Sequence, residues 1–307
     1  MLPVHQGSRL LPAGSIGMSH SLPCIKRLAL VGVGLIGGSF AMSLRSAGAV
    51  QSIVGIDANQ ENLGLALKRG IIDHAGPCDA ATLQDVDVVF VAVPVNSIIP
   101  VIEELARRAP TGCIITDGGS VKAPIVTECS RLMPAGRFFV GGHPIAGTEH
   151  SGPAAAFSSL YNGRRCILTP DSSTDPNALE TVSRLWQACG ADVSCMDAER
   201  HDRIFAEISH LPHMAAYALV HAVGTADVEG ENVLSYTAGG FRDFTRIASS
   251  DPAMWRDIAL MNRQALLNSL DGFSASLTEL RGLIEQLDAE ALESFFTTAK
   301  KFRDGIL

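Results

Sequence analysis

Three glycines in Gly32-Val-Gly34-Leu-Ile-Gly37 stand at the GxGxxG spacing, and Asp57 closes the next apolar segment. The string gains meaning from its surroundings. IKRLALVGVG reads as a strand ending in the glycines, IGGSFAMSLRSAG has helical texture, and SIVGID reads as a second strand ending at Asp57. A strand, a glycine turn, a helix and a second strand with a terminal acid form a dinucleotide site. Gly32 allows the tight turn, Gly34 lets backbone approach a pyrophosphate, and Gly37 lets helix and strand pack closely. Leu35 and Ile36 open the helix, whose N-terminus faces the anion. Asp57 is then the partner of the adenosine ribose hydroxyls. Its carboxylate repels a 2′-phosphate, and neither Ala58 nor Asn59 offers a cation, so NAD is expected rather than NADP. Val93 and Pro94, at the end of a third apolar strand, complete the cofactor rim. The alternative is that the glycines only shape a turn and Asp57 caps the next helix.

Two further stretches carry chemistry. Asp117-Gly-Gly-Ser120-Val-Lys122 and Gly141-Gly-His143-Pro-Ile-Ala-Gly-Thr-Glu149 each follow a predicted buried strand. Ligands of doubly wound sheets bind at the carboxyl ends of such strands. A histidine between Gly-Gly and Pro is poor core filler, and the glycines imply a backbone shaped for close approach. His143 is therefore a candidate acid–base group, with an expected pKa near the ordinary histidine value of ~6.5. Lys122 reads equally as a part of this site or as a solvated lysine at a helix start.

The elements that must hold these residues alternate. VDVVFVAVP, CIITDGGS and RFFVGGHP read as further strands, with helices over Asn59–Arg69, Ser97–Ala109 and Pro124–Met133. The alternation predicts a Rossmann-type, doubly wound, mainly parallel α/β sheet. CILTP and ADVSCM are expected to extend it, with a helix between them around Asn177–Cys189. Beyond Met196 the strand pattern stops. Ala198–Gly224 reads as one long helix, and Asp251-Pro252 as a helix start with Asp at N-cap and Pro at N1. The expected organisation is a loose tail over residues 1–22, in which Met18 is an alternative start, a dinucleotide-binding domain over 23–197, and an all-α domain over 198–307. Leu211–Val223 is apolar nearly all round, which predicts burial against a second copy in a homodimer.

The chain has 307 residues, with 24 Lys+Arg against 32 Asp+Glu, a net charge of −8. An acidic chain has no general attraction for nucleic acid or anionic membrane, so an anionic metabolite must be held by a few placed arginines. Seven scattered cysteines without a CxxC indicate neither a disulfide framework nor a zinc site, and no metal is expected. They read as reduced, mostly buried thiols of a cytoplasmic protein. No apolar run is long enough for a membrane helix.

The GxGxxG, DxxSVK and GGHPxAGTExSG motifs, with SHLPH at Ser209–His213 and GGFRDFTRIASSDPxMW at Gly239–Trp255, resemble those of prephenate dehydrogenases. That family includes the arogenate and cyclohexadienyl dehydrogenases of tyrosine biosynthesis. The resemblance runs from about Lys26 to the C-terminus. It implies an NAD-dependent oxidative decarboxylation: hydride leaves the hydroxyl-bearing ring carbon, CO2 is lost, and the ring becomes aromatic. It matches His143 to the catalytic histidine and Ser120 to the serine near the same hydroxyl and the nicotinamide. It matches Arg246 to the carboxylate-binding arginine and His213 to a histidine near the substrate side chain. Glu149 and Asp243 match acids that organise or gate the pocket. Arg242 stands where relatives often carry Lys. The resemblance also implies a helical homodimer and feedback inhibition by tyrosine.

Other readings of single residues stay open at this point. Arg246 and Asp243 could form a surface ion pair, His213 could pack inside a helix interface, and His210 and Trp255 read as structural. Rival functions are less economical. A β-hydroxyacid dehydrogenase would carry a catalytic Lys after the domain boundary, where this chain offers His201, His210 and His213. A non-catalytic NAD-sensing regulator would not need SHLPH or GGFRDFTRI, and a methyltransferase would not explain HPxAGTE.

Overall fold

The computed structural model describes residues 24–148 and 150–306. The expected tail over 1–22 and the candidate Glu149 lie outside them. The apolar runs bounded by glycine and proline form strands β1 (Ile25–Val31), β2 (Val50–Ile56), β3 (His74–Ala75), β4 (Val88–Val91), β5 (Ile114–Asp117) and β6 (Phe138–Val140). They make one parallel sheet in the order β3-β2-β1-β4-β5-β6. Every residue of β4 and β5 is buried, as a strand covered on both faces requires. The chain reverses its direction of winding between β1 and β4, where doubly wound sheets open a crevice for ligands. Two-residue β3 carries no periodic pattern and is not legible in the sequence.

The crossover helices are α1 (Leu35–Ser46), α2 (Gln60–Lys68), α3 (Val95–Arg108) and α4 (Ala123–Leu132). One face of the sheet buries an aromatic cluster of Phe40, Phe90, Tyr161 and Trp186. The rings of Phe40 and Trp186 lie 4.5 Å apart, and those of Tyr161 and Trp186 lie 5.0 Å apart. The other face packs α3 and α4 and also receives Trp255 and Ile258 from the C-terminal half. Trp255 is thus a core residue, as expected.

CILTP and ADVSCM do not extend the main sheet. They supply β8 (Arg165–Leu168) and β9 (Asp192–Cys195) of a separate three-stranded sheet, with α5 (Pro176–Ala188) between them. Its first strand, β7 (Gly142–Pro144), runs antiparallel to β8, with His143 opposite Ile167. RFFVGGHP is therefore two strands rather than one. The Gly141 carbonyl takes the Thr169 N–H at 2.9 Å, and the chain leaves β6 there. An apolar strand sequence fixes burial but not the neighbour, so this transfer could not be read from composition.

After β9 the regular elements are helical, apart from an isolated bridge between Val228 and Glu231. The single helix expected over 198–224 is α6 (Ala198–Phe205), a π-helical turn over Ala206–His210, and α7 (Leu211–Gly224). Pro212 explains the interruption. It has no N–H for the carbonyl one turn earlier, and its ring crowds that carbonyl. The remaining helices are α8 (Gly239–Thr245), α9 (Pro252–Met261), α10 (Arg263–Glu285) and α11 (Ala289–Asp304). Asp251 caps α9 as expected, accepting the Ala253 and Met254 N–H groups at 2.7 and 3.2 Å. No described helix is long and apolar enough to cross a membrane. The seven cysteines are unpaired. Cys113, Cys129, Cys166 and Cys189 are buried, whereas Cys24 and Cys195 are exposed.

Helix α7 is apolar on nearly every side, yet Ala216 is its one buried residue. Leu267, Phe273 and Leu277 of α10 and Phe296 and Phe302 of α11 are also exposed. Faces of this kind are covered by a partner rather than left to water. The expected outcome is a dimer. Light scattering across micromolar dilutions should read twice the chain mass of 32.4 kDa, and the single-chain mass at every concentration would contradict it.

Candidate active site

The glycine turn between β1 and α1 has the geometry of a nucleotide cradle. Gly32 has φ +89°, and a Cβ there would collide with the Ala92 carbonyl. A Cβ on Gly37 would collide with the Gly32 carbonyl, so this glycine lets helix and strand close together. A Cβ on Gly34 meets nothing within 4 Å: its open face is where a ligand backbone approach is possible. Helix α1 has no side-chain cap and no acid in its first turn. The orphan N–H groups and the positive end of the helix dipole therefore face this space. The Tyr161 hydroxyl donates to the Ile36 carbonyl at 2.6 Å and pins that turn, while Leu35 is buried beneath it. Val93 packs beside Gly32, and Pro94 is the N-cap residue of α3.

Asp57 is half-buried at the end of β2. Its Oδ2 accepts the Val33 N–H at 3.0 Å and its Oδ1 the Asn59 N–H at 2.8 Å. The cap of α2 is Asn59, which accepts the Glu61 and Asn62 N–H groups, so the alternative role for Asp57 is taken by another residue. A carboxylate oxygen has lone pairs to spare after one N–H. The cradle, the uncapped helix and the acid together fit a dinucleotide.

At the end of β5, Asp117 is fully buried and paired with Lys122, which is also fully buried. The reading of Lys122 as a solvated lysine is wrong. Its Nζ donates to an Asp117 oxygen and to the Gly142 carbonyl, the latter at 3.0 Å. Asp117 also accepts the Gly119 N–H at 2.8 Å and the Gly142 N–H at 3.2 Å. The pair thus clasps both peptide groups of Gly142, directly before His143. Ser120 lies in the turn between the two partners and is half-buried. Sequence spacing marks the motif but not this pairing, which a buried charge needs.

His143 Nδ1 lies 2.9 Å from His201 Nε2, and His201 Nδ1 lies 2.8 Å from Asp202 Oδ1. His201 is fully buried and stacks on Phe205 with ring centroids 4.4 Å apart. Asp202 accepts the backbone N–H groups of Lys122 at 2.7 Å and Ala123 at 2.8 Å, at the start of α4. The sequence pattern assigns no role to His201 or Asp202; their adjacency at the start of the helical half is the one signal available. The expected ordinary pKa of His143 is also corrected. Burial first, then the neighbouring His201 and Lys122, hold it well below the usual histidine value. Burial likewise lowers His201, with Asp202 opposing.

The helical half brings His213, Trp255 and Arg246 together. His213 stacks on Trp255 at 3.7 Å, and its Nδ1–H donates to the Ser209 carbonyl at 2.9 Å. Its pKa is lowered by burial, with the Arg246 charge contributing. His213 is half-buried, so it packs in the helix interface and still presents an edge. Arg246, Arg242 and Asp243 are exposed, and no ion pair joins Arg246 to Asp243 among the described residues. Both arginines remain available for an anion. His210 is structural, as expected: it is buried, bonded to Asn262 at 3.1 Å, and pushed down to about 4 by burial. Asn262 also donates to the Asp202 carbonyl at 2.9 Å. Among the described residues no group of His, Cys, Asp and Glu is placed to hold a metal.

Residues 40–195 match the family described as prephenate dehydrogenase, nucleotide-binding domain, and residues 197–298 that described as prephenate dehydrogenase, dimerization domain. A prephenate dehydrogenase of Bacillus subtilis is 40% identical over 278 residues, 90% of this chain and 75% of that protein. A cyclohexadienyl dehydrogenase of Zymomonas mobilis is 34% identical, over 91% of this chain and 95% of that one. The crystal structure of prephenate dehydrogenase from Aquifex aeolicus with hydroxyphenyl propionate and NAD+ superposes with a TM-score of 0.87. Its identity is 38%, covering 95% of this chain and 100% of that one. With both halves matched and a relative of this identity matched along most of its length, the chain belongs to the prephenate dehydrogenase family.

Proposed function

We propose that this dehydrogenase carries out the NAD-dependent oxidative decarboxylation of prephenate to 4-hydroxyphenylpyruvate, of arogenate to tyrosine, or of both, in tyrosine biosynthesis. The observation that carries this reading is the clasp of Asp117 and Lys122 on Gly142. It ties the residue before His143 to the loop that carries Ser120, at the same end of the sheet as the glycine cradle. The Aquifex relative supports it, because its named ligands are NAD+ and a phenolic acid.

Bound NAD+ supplies the hydride acceptor. As hydride leaves the ring carbon, its hydroxyl becomes acidic, and the His143 imidazole takes the proton. Ser120 would hold that hydroxyl and the nicotinamide when both are bound. The carbon–carboxylate bond then breaks and its electrons complete the aromatic ring. Arg246 holds a substrate carboxylate with its planar fork, Arg242 adds a second cation, and His213 contacts the side chain. Asp243 and Glu149 order the entrance. Asp57 selects NAD over NADP. Tyrosine shares ring and side chain with the substrate and competes for the same site. The dinucleotide unit spans 23–197, and the helical unit, 198–307, provides the dimer contact. The compartment is the cytoplasm, consistent with unpaired thiols.

The cofactor assignment predicts that Asp57→Asn with Ala58→Arg lowers the NAD:NADP ratio of kcat/KM by at least ~100-fold, about 2.7 kcal/mol. The amide introduced at this position would keep an acceptor for the Val33 N–H, so an unchanged ratio in the folded variant removes Asp57 from the ribose site.

The substrate assignment predicts that Arg246→Gln raises KM for prephenate or arogenate by roughly 10- to 100-fold, because a charge-assisted pair is worth about 1.5–3 kcal/mol. A rise in the NAD+ KM instead would move Arg246 to the nucleotide site.

His143→Asn tests the chemistry. NADH formation should fall in kcat by about 10²–10⁴, with the NAD+ KM little changed. The base must be neutral, so activity is lost as pH falls through the His143 pKa. That pKa is depressed, so the wild-type acid limb should lie below ~6.5 and be absent from the variant. A folded variant with near-normal kcat would remove His143 from the mechanism.

A further inference from the structure

We infer that His201 and Asp202 are positioning residues that fix the tautomer of His143, leaving its Nε2 as the proton acceptor. The inference rests on the reading of His143 as the base. It starts at the far end of the chain of contacts. Asp202 accepts backbone N–H groups on both oxygens, from Lys122 on Oδ1 and from Ala123 on Oδ2. An ionised carboxylate has acceptors only. The ring nitrogen facing it, His201 Nδ1, must therefore carry a proton. A neutral imidazole has one N–H, so His201 Nε2 is bare and is an acceptor. It lies 2.9 Å from His143 Nδ1, which must then be the protonated nitrogen of that ring. His143 Nε2 keeps its lone pair. The second nitrogen of a histidine sets which form the first takes.

The opposite arrangement places a bare His201 Nδ1 against a carboxylate 2.8 Å away. It would also put the proton on His143 Nε2, which could then donate but not accept. His201 has little freedom to turn to avoid this. It is fully buried, stacked on Phe205, and Phe205 also packs on His143 with ring centroids 4.9 Å apart. In the reaction, the substrate O–H bond breaks and its proton goes to His143 Nε2. The Nδ1 proton stays on His143, still donated to His201.

The test begins with the unmodified enzyme, labelled with ¹⁵N-histidine. Long-range proton–nitrogen spectra at neutral pH should show His143 carrying its proton on Nδ1; a proton on Nε2 would overturn the inference. His201→Phe keeps the ring shape and removes the acceptor. It should lower kcat by roughly 10- to 100-fold, the scale of losing an outer partner that orients an imidazole. Both KM values should stay within about threefold, since binding groups are untouched. His201→Gln retains a side-chain oxygen toward His143 and should recover most of that loss; a variant no better than Phe would count against the inference. In the His143→Asn background, His201→Phe should cost nothing further. An equal cost in both backgrounds would make His201 merely structural. If His143→Asn alone leaves kcat near normal, the base assignment itself fails and the positioning role falls with it. If that variant loses activity while the wild type shows Nε2–H, only the positioning role is lost.

Discussion

One buried ion pair sets the geometry of this site. Asp117 and Lys122 are both fully excluded from water, where isolated charges are too costly to survive. They persist because each partner is also bonded to backbone groups. Asp117 accepts two backbone N–H groups, and Lys122 donates to a backbone carbonyl. Three of those bonds have consequences beyond the pair. One shapes the turn that carries Ser120, and two grip Gly142 and thereby aim β7. Replacing such a pair by apolar groups can be neutral. Removing one partner leaves a buried charge and costs about 3–5 kcal/mol. The pair is thus better understood as a device for register than as a source of stability: it joins the end of β5 to the start of a strand in another sheet.

The same pair bears on the electrostatics. The protein is acidic, with a net charge of −8, and its proposed substrate is an anion. The cations divide into two groups. Lys122 is internal and matched by Asp117, yet its charge opposes protonation of His143, as do burial and His201. These influences favour the neutral form of His143, the proposed base. Arg242 and Arg246 are exposed on the helical side, where a carboxylate can be gathered without burying an unpaired charge beforehand. The proposed base, which must be neutral, and the proposed anion-holding arginines, which must be charged, thus sit in different environments of one protein.

Much of this was legible in the sequence, for reasons that can be stated. The cradle reads from its glycines because backbone collisions at Gly32 and Gly37 forbid other residues. His143 reads from neighbours unsuited to a core. Asp251 reads as a cap because Asp before Pro has a local reason to be there. What was not legible depends on distant partners. His143 and His201 are 58 positions apart, and no local pattern reports a contact of that span. A lysine at a helix start gives no sign of burial until Asp117 is seen beside it. The transfer of β7 to a second sheet depends on which edge β8 finds, and the π turn before Pro212 on how the helix absorbs a missing N–H.

The polar chain behind His143 also changes what the helical half is for. Asp202 belongs to α6, but its carboxylate terminates α4 of the sheet unit, and its carbonyl is held by Asn262. Asn262 in turn bonds His210, at the end of the π turn. The acceptor that faces the proposed base is thus supplied by the helical unit and secured from both sides of the domain boundary. Trp255 and Ile258 add an apolar seat in the core of the sheet unit. A helical unit attached only through its surface would leave the base free to choose its tautomer. With α6 seated by the bonds at the start of α4 and the buried bonds at Asn262, folding of the second half completes the surroundings of the proposed base in the first.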